Sequence, residues 1–291
     1  VLGMSKINDS KRLENIDKQV LIGRNINLIY GDGCEKCFES TGYESNNICK
    51  YCGSIVACNN VNLELYEGEV LGIVGESGSG KSTLLKILFF QEHANSGEVY
   101  ISHYNKDTNI LELSDQKKRY IKNHFMGIVY QNPHLGLNLD FSSGGNIAEK
   151  LLMANLYNVE KIRDRGKELL IKTNIPVERI DHKPKYFSGG MQQRVQIAKA
   201  LSNNPPILLL DEVTTGLDVS VQAEVLDLIR EIQRELKISM IVVSHDFDVI
   251  KMLADRTIVM KNGSVIESGL TDQIMEDPQH PYTQQLINSL L

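Results

Sequence analysis

The chain has no surplus of basic residues, no apolar run long enough to cross a bilayer, and, over one stretch near its N-terminus, very few large apolar side chains. Each shortage excludes something. With 31 lysines and arginines against 37 acidic residues, a formal charge of -6, no excess of cations is available to neutralise a nucleic-acid backbone, so general nucleic-acid binding is not expected. Without a membrane-length apolar segment or a charged-then-apolar leader, the chain is expected to be soluble and cytoplasmic, meeting a membrane only through another subunit. Val1-Leu2-Gly3-Met4 suggests either that Met4 is the native initiator or that the chain is processed, and residues 1–19 read as a flexible N-terminal segment. The remaining length, residues 20–291, with a hydrophobic share of 42%, suits one large α/β domain carrying insertions.

What is present is a phosphate-cradling pattern. Gly75-Glu76-Ser77-Gly78-Ser79-Gly80-Lys81-Ser82 follows the apolar run Val70 to Val74 and opens the apolar-periodic stretch Thr83 to Phe89. Between a strand and a helix, glycines let backbone N–H groups close around phosphates, and the helix N-terminus faces them with partial positive charge. Lys81 is placed to reach the terminal phosphates and Ser82 to ligate magnesium. Downstream, Ile207-Leu208-Leu209-Leu210-Asp211-Glu212 reads as a buried parallel strand ending in two carboxylates, at the end of the sheet where ligands bind in open α/β folds. Asp211 is expected to hold magnesium through its water shell, and Glu212 to act as general base on the attacking water. Between them, Ser188-Gly189-Gly190-Met191 precedes the helical run Val195 to Leu201; Ser188 can cap that helix, and the glycines let a phosphate approach.

In this order the motifs resemble those of the ATP-binding-cassette ATPases. The resemblance implies an α/β P-loop fold with a RecA-like core sheet, an antiparallel β subdomain and an inserted α-helical subdomain, here at 135–187. It also implies roles for further residues. Gln131, after the strand-like Met126 to Tyr130, resembles the Q-loop glutamine that senses magnesium, and Gly216-Leu217-Asp218 the D-loop. His245, after Met240 to Val243, resembles the switch histidine that contacts the γ-phosphate. Val20 to Tyr30 reads as an edge strand; Tyr30 stands where the family stacks an aromatic on adenine, the alternative being a ring packed on the sheet. The catalytic set is then Lys81, Gln131, Glu212 and His245, and the magnesium set Ser82, Gln131 and Asp211. Residues 75–83 surround the phosphates, and Ser188 to Met191 with Asp218 complete the site from a second subunit, so that ATP is clasped in a homodimer. Val213 and Met191 depart from the commonest family residues without removing a ligand of ATP or magnesium.

Residues 31–57 lie between Tyr30 and the phosphate loop, where the family has a shorter connection. Cys34, Cys37, Cys49 and Cys52 form two CxxC pairs, the spacing of two knuckles closing one tetrahedral thiolate site in a zinc-ribbon-like insertion. Phe38, Tyr43, Ile48 and Tyr51 are too few to offset about 1–2 kcal/mol of backbone ordering per residue, whereas a structural zinc supplies on the order of 10–16 kcal/mol in small peptides. Zinc is the expected ion; an iron–sulfur cluster or a redox pair is the alternative. Cys58 reads as an ordinary buried strand residue.

Several stretches, among them Ser143 to Glu149, Ile175 to Asp181, Gly216 to Ala223 and Glu267 to Asp272, resemble the ATP-binding component of the carbon–phosphorus lyase system, which breaks down phosphonates. That implies docking on a soluble lyase core complex. The tail 270–291, with His280-Pro281-Tyr282-Thr283, is shared with the energising subunits of dipeptide, oligopeptide and nickel importers, which meet a membrane permease. Those importers usually carry Ser-Leu-Asn-Pro after the Q-loop, and here no proline follows Asn138. An ATP-dependent activator of another metalloenzyme is a third, looser resemblance.

Overall fold

The computed structural model describes residues 18–288; the segment 1–17, and with it most of the N-terminal stretch read as flexible, lies outside the described residues. Among the described residues nine strands form two sheets. β1 (Gln19–Tyr30), β2 (Ile55–Tyr66) and β4 (Ser96–Ile101) make an antiparallel sheet in the order β2-β1-β4. β3 (Val70–Val74), β5 (Met126–Val129), β6 (Ile207–Asp211), β7 (Ser239–Val243), β8 (Arg256–Lys261) and β9 (Ser264–Leu270) make the second, in the order β5-β6-β7-β3-β8-β9. Its first five strands run parallel and β9 closes the edge antiparallel to β8.

The expected position of β1 needs correcting. It is the central strand of the small sheet, not an edge, because β4 pairs with the side that β2 leaves open, Leu21 facing Ile101 and Gly23 facing Val99. The turn between β8 and β9 matches its sequence: Asn262 and Gly263 both have positive φ (47° and 82°), the backbone that a two-residue hairpin with the twist of its strands requires.

Alternation along the parallel strands produces two cores. Val70, Val74, Leu208, Leu210, Met240 and Val242 face one side, joined by residues of the helices Ser143–Met153, Val159–Lys172, Gly189–Ala200 and Val219–Leu236. Leu71, Ile73, Leu209, Ile241 and Val243 face the other, against the helix Lys81–Leu88 and the antiparallel sheet. A strand buried on both faces reads as a continuous apolar run, which is why these segments show no polar alternation. Cys58 is fully buried in the second core.

Candidate nucleotide and metal sites

Four neighbouring strands deliver the candidate catalytic groups at their carboxyl ends. β3 runs into residues 75–80, β6 ends in Asp211 and Glu212, β7 is followed by His245, and β5 by Gln131 one residue after Tyr130. This is the crevice where ligands bind in open α/β sheets.

The loop after β3 is shaped by close approach. A Cβ on Gly80 (φ 101°) would stand 2.2 Å from the Ala57 carbonyl oxygen, so only glycine lets the loop pass β2 there. Lys81 is buried and its Nζ donates to the carbonyl oxygens of Gly75 and Glu76 at 2.7 and 2.8 Å, curling the loop around the ammonium. Burial holds its pKa below the ordinary lysine value. Glu76, Ser77 and Gly78 are exposed, while Ser79 is buried; Ser82 and Thr83 are half-buried on the first turn of the helix. Ser82 Oγ donates to Asp211 Oδ1 at 2.7 Å, uniting the two expected magnesium ligands, although they lie 129 residues apart in sequence. Burial raises the Asp211 pKa, with the Glu212 carboxylate adding to it.

Glu212 adopts a left-handed backbone (φ 47°), costly for a residue with a Cβ, and its N–H donates to the Val243 carbonyl at 2.9 Å. This turn presents the carboxylate to His245, whose Nδ1 lies 3.2 Å from Glu212 Oε2. Thr215 Oγ1 reaches the same oxygen at 3.4 Å. Gln131 is exposed. Tyr30 is partly exposed at the end of β1, and burial raises its hydroxyl pKa.

Ser188 caps its helix, its Oγ accepting the Met191 N–H at 3.3 Å. A Cβ on Gly190 would stand 2.3 Å from Val221, so this turn sits directly on the start of the helix Val219–Leu236, beside Gly216 to Asp218. Ser188, Gly189 and Asp218 are exposed, and Met191 is half-buried. Among the described residues no hydrogen bond joins 188–191 to 75–83.

Two residues escaped the sequence reading. Gln193 and Gln196, both buried, donate from Nε2 to the Tyr130 carbonyl at 3.1 Å each, and Gln196 Oε1 accepts the Tyr130 N–H at 2.6 Å. They tie the helix behind Ser188 to the residue before Gln131. Their three-residue helical spacing was the available signal; nothing local names their partner.

The four cysteines of the insertion converge. Their sulfurs all lie within 4.8 Å of one another, with Cys34–Cys49 and Cys34–Cys37 at 3.7 Å and Cys37–Cys52 at 3.5 Å. Thiolates bound about 2.3 Å from one tetrahedral ion stand about 3.8 Å apart, so the set fits zinc, and no pair is a disulfide. Ser40 Oγ donates to Cys49 Sγ at 3.2 Å, lowering that thiol to about 6, whereas burial pushes Cys37 up to about 12.

The sequence profile of the ABC transporter family matches residues 58–215. The chain belongs to the ATP-binding-cassette ATPases and hydrolyses ATP. Over 233 residues, 80% of this chain and 91% of the other, it is 46% identical to the putative phosphonates utilization ATP-binding protein PhnK of Escherichia coli (strain K12). It is 38% identical over 247 residues to the oligopeptide transport ATP-binding protein OppD of Bacillus subtilis (strain 168), covering 82% of this chain and 68% of that one. Among solved structures, a dimeric ATP-binding cassette in a post-hydrolysis state bound to ADP and Pi superposes with a TM-score of 0.72 at 31% identity, covering 86% of this chain and 98% of that one. Among the described residues no helix is long and apolar enough to cross a membrane.

Proposed function

We propose that this chain is the ATPase subunit of a phosphonate-breakdown assembly, a homodimer that closes on ATP and drives conformational change in a soluble carbon–phosphorus lyase complex. The observation that carries this reading is the 46% identity to the phosphonates utilization protein along 91% of that protein's length. In the domain assignment that goes with it, 31–57 is a metal module, 135–187 the subdomain that meets the partner complex, and 270–291 the tail.

The roles follow from the site. ATP is the substrate, its phosphates lying against the N–H groups of residues 75–83 with Lys81 on the terminal pair and Tyr30 under the base. Ser82, Gln131 and Asp211 hold magnesium, which neutralises phosphate charge when bound. Glu212 takes the proton of the attacking water; its left-handed turn and the His245 ring fix where its carboxylate points, and His245 also faces the γ-phosphate. Ser188, Gly189, Gly190 and Met191, with Asp218, close the site from the second protomer; the exposure of Ser188, Gly189 and Asp218 supports this. The module holds a structural zinc, since four protein thiolates leave no open coordination position.

Turnover is expected to rise more steeply than linearly with protein concentration, and Glu212→Gln to run as an ATP-bound dimer on a sizing column. A linear dependence together with a monomeric variant would defeat the dimer reading. Peptide-import ATPases match this chain at 37–40% identity, which favours a second reading, an importer subunit. Affinity purification from the native cell separates the two: soluble lyase subunits support the first, a polytopic permease the second.

A further inference from the structure

The four-cysteine module is built into the nucleotide end of the fold. Its two ends are β1 and β2, paired Tyr30 to Ile55 at its base, so the residue proposed to carry the adenine ring is also the module's anchor. Two bridges run from its middle. Asn47 Nδ2 donates to the carbonyl of Gly78 in the phosphate loop at 3.5 Å, and Asn262 Nδ2 donates to the Ser45 carbonyl at 2.5 Å. Asn262 belongs to the β8–β9 turn, whose next residue, Gly263, donates its N–H to the Ser79 carbonyl at 3.0 Å and accepts the Asn59 N–H at 2.8 Å. Asn59 in turn donates from Nδ2 to Phe38 and Thr41 of the module at 3.2 and 3.3 Å. Module, hairpin turn and phosphate loop therefore form one closed set of polar contacts.

The module's own apolar cluster is confined to Cys37, Cys49 and Val56, with Ile29, Cys34 and Phe38 against it, so its order depends on what joins the sulfurs. We propose that metal occupancy at Cys34, Cys37, Cys49 and Cys52 is linked to nucleotide binding: the metal-ordered module braces the phosphate loop through Asn47 and Asn262. This rests on the ATP and zinc assignments above and adds a coupling between them. A loop that visits its binding-competent shape only part of the time binds nucleotide more weakly by that fraction, and linkage makes the effect reciprocal.

The test uses the zinc-loaded full chain carrying Glu212→Gln, so that ATP is not consumed. Zinc transfer to a chromogenic chelator is timed with and without magnesium ATP, and ATP affinity is measured by calorimetry before and after zinc removal. Release is expected to slow about 5- to 30-fold with nucleotide, and ATP affinity to fall about 5-fold or more after zinc removal. Adding Asn47→Ala keeps all four thiols and should retain one zinc per chain while losing part of the slowing, about 2- to 5-fold. Adding Lys81→Ala, which removes the phosphate contact, should abolish the slowing. Equal release rates while calorimetry shows ATP bound would overturn the coupling alone. Absence of zinc, or of ATP binding, would instead overturn the assignment beneath it.

Discussion

In β3 and β7 every residue is buried, whereas in the four-cysteine module Tyr43, Ile48 and Tyr51 are 43%, 46% and 67% exposed. The two regions meet at the phosphate loop but are ordered by different means. The sheet removes apolar surface from water on both faces, about 25 cal/mol for each Å². The module's own apolar cluster is limited to Cys37, Cys49 and Val56 with a few partly buried neighbours, and on the proposed reading a metal at its four sulfurs supplies the order. A core of the first kind degrades gradually as methyl groups are lost; a site of the second kind is present or absent as a unit.

The module is where a single change should matter most. Removing the metal with a strong chelator, or substituting Cys37 and Cys49 by serine, should withdraw on the order of 10–16 kcal/mol of coordination energy. Limited proteolysis should then cut within 31–57 while the rest of the chain stays folded by circular dichroism. Fewer than half an equivalent of zinc or iron in chelator-free protein, with the segment still resistant, would mean that the module is not metal-ordered. Next in size, Leu209→Ala, fully buried in β6, should cost about 2–5 kcal/mol in urea unfolding and leave zinc content unchanged. Joint loss of zinc would show the two regions to be one cooperative unit.

The smallest effect concerns a charge inside the hydrophobic region. Lys150 Nζ donates to the carbonyls of Lys122 and Met126 at 2.8 and 3.0 Å, and burial, with Lys122 and Lys199 nearby, pushes its pKa down to about 8 from 10.5. The folded state thus binds the amine's extra proton less tightly than the unfolded chain does. The unfolded chain binds the extra proton between these two values, so stability rises with pH across that window and is lost as pH falls through about 8. Relative to Lys150→Met, the parent protein should gain about 2–4 kcal/mol between pH 7 and pH 10.5 in urea titrations. A flat difference would mean that the ammonium is solvated after all.

The phosphate loop and the Asp211-Glu212 strand end were legible because their chemistry is local: glycines, a lysine and a hydroxyl must be adjacent to wrap phosphates. The CxxC pairs were legible for the same reason. Less visible were features that depend on a distant partner. The central position of β1 requires β4, and the role of Gln193 and Gln196 requires Tyr130, more than sixty residues earlier. The left-handed turn at Glu212 has no glycine or asparagine to announce it.

The residue pattern along the chain marked the residues expected at phosphate, magnesium and metal and the buried parallel strand that ends in Asp211, since each of these readings depends on sequence neighbours. Which of those residues share a site is set by how distant strands pack. Ser82 meets Asp211 and Asn47 meets Gly78 only once the sheet order is set. Strand order is a matter of packing between distant segments, for which no local pattern in the chain provides a code.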